Sequence, residues 1–327
     1  MKIKREYIYG GIAAIVLISA VFYIKYFPIK PKENKIKTEE DQILWMVDKN
    51  GYLYYPLNRG DIKFRRDNYS ETENLTISKI IYQSTQGNIY GLLVLPKAVT
   101  EQLPGIVLLP GAGVSKESEL KLAEKIAGLN AAVFVIDQRG TGETDGIFPT
   151  LDEDYADFSA GKEPMQHLMV YDALRAYDLL YSAPFVDPGR IMIAGESLGG
   201  RIAIIAAALD RNIKGVLVIS SAGLDFKPKG DEGKDAFLLS IDSDYYIDLI
   251  TPRKLVMMHN YYDKNIPLTN AIRTYQKAQQ PKKFALVNDT TCNHGYCDSM
   301  YAGLVEALDY LVDIKSKTLV SIPDKPE

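Results

Sequence analysis

The chain has few residues of the types that bind metals or form cross-links. Its 327 residues include two cysteines and three histidines. So few cysteines, with histidines scattered along the chain, do not make a zinc site, and we expect no metal. Two glycine-rich stretches, at 111–113 and 140–142, do not complete a G-x-G-x-x-G motif, so a dinucleotide is not expected either. The sequence therefore predicts a protein without cofactors.

Positive charge does not predominate in the chain. The formal net charge is −4, and no stretch forms a dense basic face, so nucleic acid is not an expected partner. Hydrophobic residues make up 46% of the chain and charged residues 24%, which is ordinary for a globular domain. Residues 78–314 are enough for one domain of usual size.

One long uncharged segment stands near the N-terminus. Residues 7–24 carry no charge and follow the basic segment 1–6. At about 1.5 Å per residue, this is the lower end of what crosses a bilayer as a helix. A cleavable signal peptide would have a shorter apolar core that ends in small residues, whereas this run continues past Ser19 and Ala20. The sequence predicts an uncleaved, single-pass transmembrane anchor in the cell membrane.

Segment 25–77 is polar and is predicted to be a connector. Two apolar stretches, at 43–47 and 52–55, flank an Asn-Gly pair and predict a β-hairpin. Lysines flank both ends of the anchor, so the positive-inside rule does not decide the orientation. The larger number of lysines after the anchor gives a slight preference for a cytoplasmic domain. Two cysteines in one loop favour an oxidising compartment, and we expect the domain to be extracytoplasmic.

The rest of the chain alternates apolar strands with amphipathic helices. Strands are predicted at 79–84, 89–95, 105–109, 131–137, 190–194, 214–220, 254–259 and 283–288, and helices at 116–128, 165–182, 198–208, 268–279 and 298–314. This alternation predicts an α/β fold with a doubly wound, mostly parallel sheet and helices on both faces. The first two strands are expected to form a hairpin that turns at 86–88. A tail follows at 315–327.

The motif G-E-S-L-G at 195–199 is the most informative stretch of the chain. It follows the strand predicted at 190–194 and precedes the helix predicted at 198–208. A G-x-S-x-G motif in this position resembles the nucleophile elbow of α/β-hydrolases, in which a sharp turn exposes the serine hydroxyl. The resemblance implies an α/β-hydrolase fold with Ser197 as the nucleophile of a serine hydrolase.

A serine nucleophile needs a base, and histidine is the usual one. In α/β-hydrolases the residues follow in the order serine, acid, histidine, which excludes His167. His259 ends a strand-like run and is expected to be structural. His294 lies in the loop after the last predicted strand and is the predicted base.

The stretch H-N-Y-Y-D-K-N-I-P at 259–267 supplies the candidate acid. It resembles the H-G-x-x-D-x-x-V-P stretch of the superfamily, with asparagine in the glycine position. The resemblance implies that Asp263 accepts the Nδ1 proton of His294 and fixes its tautomer. Two other aspartates remain as alternatives, Asp242 and Asp244.

An acyl-transfer enzyme also needs backbone N–H groups that stabilise the developing oxyanion. One should belong to Leu198, directly after the nucleophile. The loop P-G-A-G at 110–113 resembles the H-G-x-G loop of the superfamily, with proline in place of histidine. The resemblance implies Ala112 as the second donor, and Gly113 is the alternative.

Two further stretches extend the resemblance over residues 78–314. The sequence at 137–142 is similar to a D-x-R-G-x-G loop, and that at 186–190 to a V-D-P-x-R lead-in to the nucleophile strand. The group they resemble includes dienelactone hydrolases, acetyl xylan esterases and prolyl-oligopeptidase catalytic domains. It implies hydrolysis of carboxylic esters, with a small-molecule or polymer-linked ester as substrate. A serine peptidase or acyl transferase with the same triad remains an alternative, as does an inactive binding module.

Two local features bear on access to the site and on its rigidity. Segment 221–253, where this fold often inserts a lid, is short and charged, which argues against a deep lipase channel. Cys292 and Cys297 bracket His294, closely enough for a disulfide that would stiffen the loop. Two buried thiols are the alternative.

Overall fold

The structure, a computed structural model, describes residues 45–314. The strands are β1 (Met46–Val47), β2 (Leu53–Tyr54), β3 (Phe64–Glu71), β4 (Leu75–Ser84), β5 (Gly87–Pro96), β6 (Leu103–Leu109), β7 (Ala132–Ile136), β8 (Val186–Glu196), β9 (Gly215–Ile219), β10 (Lys254–Asn260) and β11 (Lys282–Val287). The α-helices are α1 (Leu120–Ala127), α2 (Leu151–Ser159), α3 (Met165–Ser182), α4 (Leu198–Leu209), α5 (Glu232–Ser240), α6 (Leu268–Lys277) and α7 (Tyr301–Val312). Each strand and helix predicted within residues 78–314 has a counterpart here.

Within the described residues the main sheet has nine strands in the order β11-β10-β9-β8-β6-β7-β5-β4-β3. Strands β6 to β11 are parallel to one another, and β3, β4 and β5 add an antiparallel edge. Parallel neighbours need crossover connections, and helices supply them. The predicted mostly parallel sheet is confirmed.

Helices cover both faces of this sheet, so the central strands are buried on both sides. Every residue of β6, β7 and β9 is buried, as expected for strands enclosed between helical layers. Alternate residues of β8 face opposite sides. Ile191 and Ile193 belong to the core on the side of α3 and α4, whereas Met192 and Ala194 belong to the core on the side of α1 and α7.

The antiparallel edge extends further towards the N-terminus than the sequence indicated. Strand β3 and the first residues of β4 belong to the main sheet, although they fall in the segment 25–77 predicted as a connector. Most side chains of β3 are exposed, so its sequence lacks the alternation of a half-buried strand. The β4–β5 hairpin forms as predicted, but Ser84 pairs with Gly87, so the turn falls at residues 85–86.

The described part of the connector packs on the domain. Strands β1 and β2 pair antiparallel, in agreement with the predicted hairpin. Leu53 is fully buried, and its N–H donates to the Tyr246 hydroxyl at 2.9 Å. Arg59 pairs with Asp178 at 2.7 Å and with Asp210 at 2.6 Å. Burial and ion pairing therefore fix this segment to the domain.

The lid segment 221–253 contains α5 and two short 3₁₀ segments, Ser243–Tyr245 and Ile247–Ile250. Across residues 45–314, no helix is both long enough and apolar enough to cross a membrane. The anchor predicted at 7–24 and the tail at 315–327 lie outside the described residues.

Candidate active site

The predicted catalytic residues all follow parallel strands of the main sheet. Ser197 follows β8, Asp263 lies after β10, and His294 lies after β11. The carboxyl ends of parallel strands meet at one edge of a sheet, which is where open α/β folds bind ligands. The topology thus brings the three side chains to the same edge.

Ser197 has the strained backbone expected at a nucleophile elbow. Its φ and ψ are 50° and −115°, a conformation that non-glycine residues adopt rarely. A Cβ at Gly195 would overlap the backbone of Gly199, and a Cβ at Gly199 would overlap the carbonyl groups of Leu109 and Pro110. Both positions of the motif therefore have room only for glycine.

Hydrogen bonds hold the elbow in this strained state. The Ser197 N–H donates to the carbonyl of Ile219 at 3.0 Å, and the Ser221 hydroxyl donates to the carbonyl of Ser197 at 2.6 Å. The Ser197 side chain remains half-buried at the edge of the sheet. The surrounding structure thus fixes the backbone while the hydroxyl group stays accessible.

Asp263 and His294 are in direct contact. Nδ1 of His294 lies 2.9 Å from each carboxylate oxygen of Asp263, and the Asp263 side chain is fully buried. Burial raises the pKa of Asp263, but the hydrogen bonds with His294 and from the N–H of Ile266 outweigh it, and the pKa lies below its usual value. Asp263 is therefore ionised and can fix the Nδ1–H tautomer of the imidazole.

No hydrogen bond links the Ser197 hydroxyl to the His294 ring in the part of the chain that the structure describes. Such bonds are often long in serine hydrolases without substrate and shorten in the reacting complex. Nδ1 faces Asp263, so Nε2 is the nitrogen left to exchange protons with a substrate or with Ser197.

The other candidates for base and acid have structural partners. His167 is fully buried in α3 and bonds to the Ser240 hydroxyl at 2.7 Å. Nε2 of His259 donates to the carbonyl of Ile266 at 2.9 Å. Asp242 accepts three backbone N–H groups, and Asp244 pairs with Lys277 at 2.8 Å. In the described chain neither aspartate contacts His294.

The asparagine that replaces the glycine of the superfamily stretch has a structural role. Asn260 is fully buried. Its Nδ2 donates to the carbonyl groups of Asp289 and Cys292, and its Oδ1 accepts the N–H of Asp289. Asn260 therefore ties the end of β10 to the loop that carries His294.

The loop at 110–113 lies against Ser197. A Cβ at Gly111 would lie 3.4 Å from the Ser197 Cβ. Within residues 45–314, the N–H groups of Leu198, Ala112 and Gly113 have no backbone acceptor, so each is available to an oxyanion. The contact fits the predicted oxyanion donors, with Ala112 and Gly113 both available as the second.

A buried ion pair that the sequence did not predict supports this loop. Lys116 and Asp137 both have fully buried side chains, 2.7 Å apart, and the Lys116 N–H also donates to Asp137. Burial lowers the pKa of Lys116, but hydrogen bonds to Asp137, Glu117 and Glu143 outweigh it and hold that pKa above its usual value. The ammonium group is therefore charged.

Asp137 opens the D-x-R-G-x-G stretch, and its partners explain that sequence. A Cβ at Gly142 would overlap the Asp137 carboxylate. Arg139 pairs with the buried Asp172 at 2.7 Å, and the Gln138 side chain donates to the carbonyl of Pro110. This stretch thus anchors the loop beside Ser197 to the core.

The loop that carries His294 is cross-linked. Cys292 and Cys297 form a disulfide with a Cα–Cα distance of 5.9 Å. Across the described residues, no group of three or more His, Cys, Asp or Glu side chains is placed to hold a metal ion.

Known structures and relatives are similar to this chain. The acetyl xylan esterase of Paenibacillus sp. R4 superposes with a TM-score of 0.64 at 20% identity, over 78% of this chain and 90% of the other. YfhR of Escherichia coli O157:H7, itself uncharacterized, is 24% identical over 49% of this chain and 52% of its own length. The acyltransferase drtE of Aspergillus calidoustus is 25% identical over 53% of this chain and 50% of its own length.

The structural likeness establishes the α/β-hydrolase fold predicted from the elbow. The chain spans about half the length of the curated relatives it matches. The family model of acetyl xylan esterase (AXE1) matches residues 58–227, which is more than half of the chain. The chain therefore belongs to the acetyl xylan esterase family.

Proposed function

We propose that the protein hydrolyses carboxylic esters through an acyl-enzyme intermediate on Ser197, with His294 as base and Asp263 as the orienting acid. The observation that carries this proposal is the contact of both Asp263 carboxylate oxygens with Nδ1 of His294, 2.9 Å away. It leaves Nε2 for proton transfer, at the same sheet edge as a serine with a nucleophile-elbow backbone.

The proposed reaction has two halves that use the same groups. Ser197 Oγ attacks the ester carbonyl carbon while Nε2 of His294 takes the hydroxyl proton. The N–H groups of Leu198 and of Ala112 or Gly113 stabilise the oxyanion, and the alcohol leaves with the proton from His294. Water, deprotonated by His294, then attacks the acyl-enzyme and releases the acid and the serine.

The proposed substrates are short acyl esters, with acetyl esters of sugars foremost. The family assignment supports this class, as does a short lid that carries one helix of nine residues. Loops at the carboxyl edge of the sheet expose large apolar side chains: Ile147, Phe148, Leu224, Tyr261 and Tyr262. An open, partly apolar rim fits a small acyl group on a bulky alcohol better than a long acyl chain.

Acyl transfer is the second candidate function. It is favoured by the likeness to the acyltransferase drtE, and it differs only in that an acceptor alcohol replaces water in the second half-reaction. Peptide hydrolysis needs the same triad and is tested together with it.

A substrate panel tests the proposal. Purified protein and its Ser197→Ala variant would be assayed with p-nitrophenyl acetate, butyrate and octanoate, an aminoacyl p-nitroanilide, and acetylated xylo-oligosaccharides. Ester hydrolysis that falls with chain length and is absent in the variant supports the proposal. Faster cleavage of the anilide, or acyl transfer to added alcohols faster than to water, would replace it with the peptidase or the transferase.

We also propose that residues 7–24 anchor the enzyme in the cell membrane, with the catalytic domain outside the cytoplasm. The uncharged stretch and the disulfide support this placement. The test compares the full chain with one that lacks residues 1–44. The full chain should sediment with membranes and be digested by protease added to cells with an intact cytoplasmic membrane, and the shortened chain should not sediment. A full chain that is protected from the protease would instead place the catalytic domain in the cytoplasm.

A further inference from the structure

The residue before the nucleophile contacts the loop that carries the base. Glu196 is 8% exposed, and its Oε1 accepts the N–H of Tyr296 at 2.9 Å. Tyr296 lies two residues beyond His294. One hydrogen bond thus joins the end of β8 to the base loop, across a sequence separation of 100 residues.

The residue between His294 and Tyr296 is a glycine, which leaves room for this contact. Gly295 has a φ of +77°, and a Cβ there would lie 2.6 Å from Oε2 of Glu196. Its carbonyl accepts the Ser220 hydroxyl at 3.1 Å. The positive φ disfavours any other residue here, and a side chain would displace either the loop or the Glu196 carboxylate, so glycine permits the close approach.

A second buried carboxyl group, from Glu119, adjoins Glu196. Burial and the neighbouring charge of Glu196 hold the pKa of Glu119 well above its usual value. Burial raises the pKa of Glu196 above its usual value as well, although the Tyr296 N–H, the Glu119 hydrogen bond and the charge of His294 oppose the rise. In either protonation state Glu196 keeps an oxygen that can accept the N–H of Tyr296.

From this geometry we infer that Glu196 is a positioning residue, which holds the imidazole of His294 in register with Ser197 by fixing the chain at Tyr296. The inference rests on the proposed function of Ser197 and His294. Asn260 and Asp263 hold the other side of the loop, and Glu196 closes it against the elbow. A base must lie within about 2.6–3.2 Å of the proton it takes, so a small displacement of the loop matters.

Two near-isosteric variants separate the hydrogen bond from the volume of the side chain. Glu196→Gln keeps a carbonyl acceptor for Tyr296, and Glu196→Met removes it. Misplacing a reacting group by about 1 Å can cost about 100-fold, so Glu196→Met should lower kcat for p-nitrophenyl acetate by about 10- to 100-fold with little change in KM. Glu196→Gln should recover most of this loss.

Glu163 provides the matched control. It is also 8% exposed and accepts a hydrogen bond from Tyr55 at 2.5 Å, but not from the base loop. Glu163→Met should lower thermal stability and leave kcat within about threefold of wild type, since it removes a buried bond of similar kind elsewhere.

A double-mutant cycle identifies the residue through which Glu196 acts. In a His294→Ala background, Glu196→Met should lower the residual activity by less than about threefold, because groups that act as a unit are not additive. An equal loss in both backgrounds, or equal kcat values for the Met and Gln variants, would overturn the inference. If Ser197→Ala itself keeps activity, the proposed function fails instead.

Hydrogen exchange of the wild-type protein covers the case in which Glu196→Met does not fold. The Tyr296 amide should exchange slowly, with protection close to that of β8, because its bond is buried. Exchange as fast as that of exposed loop amides would contradict the proposed role of Glu196.

Discussion

Asp263 holds His294 symmetrically, with each carboxylate oxygen 2.9 Å from Nδ1. Two backbone N–H groups, from Asn265 and Ile266, donate to Oδ1 of the same carboxylate. The acid is thus fixed by its own turn before it orients the imidazole. This contact places the proton of His294 on Nδ1 and leaves Nε2 for the proposed proton transfer from Ser197.

We predict that Asp263→Asn lowers kcat by about 10⁴-fold, the loss known for the equivalent change in a serine protease, because an amide favours the wrong tautomer of the base. His294→Ala should cost at least as much, and the double variant little more than His294→Ala alone. Steady-state kinetics with p-nitrophenyl acetate measure all three.

Asp242→Asn is the control for the choice of acid. Asp242 accepts backbone N–H groups of the lid, so this change should reduce stability rather than kcat. An Asp263 variant with near-full activity beside an inactive Asp242 variant would show that the acid is misassigned.

We predict that reduction of the Cys292–Cys297 disulfide lowers kcat clearly while the free energy of unfolding falls only slightly. The bond closes a short loop, so the chain-entropy model gives a stabilisation of only about 2 kcal/mol. The same loop carries His294, the proposed base, so its position should affect the reaction more strongly. Thiol titration in denaturant, kcat and urea denaturation of the Cys292→Ser/Cys297→Ser variant provide the test. Two titratable thiols in protein taken directly from its host would refute the cross-link.

We predict that Lys116→Met destabilises the protein by about 3–5 kcal/mol, since it leaves the Asp137 carboxylate buried without its partner. Lys79 is the control, because it pairs with the same Glu143 but is partly exposed. Lys79→Met should cost at most about 1 kcal/mol. Urea denaturation measures the free energy of unfolding of both variants. Equal losses would contradict the claim that burial makes the Lys116–Asp137 pair more important for stability.

We predict a pH dependence of stability that belongs to His167. Burial lowers its pKa from 6.5 to about 3, so the unfolded chain binds this proton at a higher pH than the folded chain does. Stability should therefore fall as the pH drops from 6.5 towards 3, by at most about 1.4 kcal/mol per pH unit from this one group. His167→Gln should flatten the dependence, and an unchanged slope would argue that His167 is not held neutral.

The sequence predicted the buried strands well because their environment is uniform. Strands β6, β7 and β9 lie between two helical layers, so nearly every one of their residues is apolar, and each run is easy to recognise. Strand β3 was missed because it lies at an edge and most of its side chains are exposed. Helix α2 was missed although Thr150 and Glu153 form a capping box, a local signal that sequence analysis can use.

Contacts between distant segments account for the rest of what the sequence did not reveal. The proposed nucleophile and base follow from a motif and from the order of residues along the chain, whereas the residues that support them do not. Glu196 meets Tyr296, and Lys116 meets Asp137, only because parallel strands align their carboxyl ends. No local pattern specifies such partners, since each pairing depends on the register and spacing of the sheet.

Labelling with a fluorophosphonate probe tests the central claim most directly, namely that Ser197 is the nucleophile. Peptide mass spectrometry of the treated wild-type protein should find the probe on Ser197 alone, with loss of esterase activity in proportion. Ser197→Ala should not be labelled and should lose up to about a millionfold in kcat. Labelling of another residue, or equal labelling of both proteins, would contradict the account.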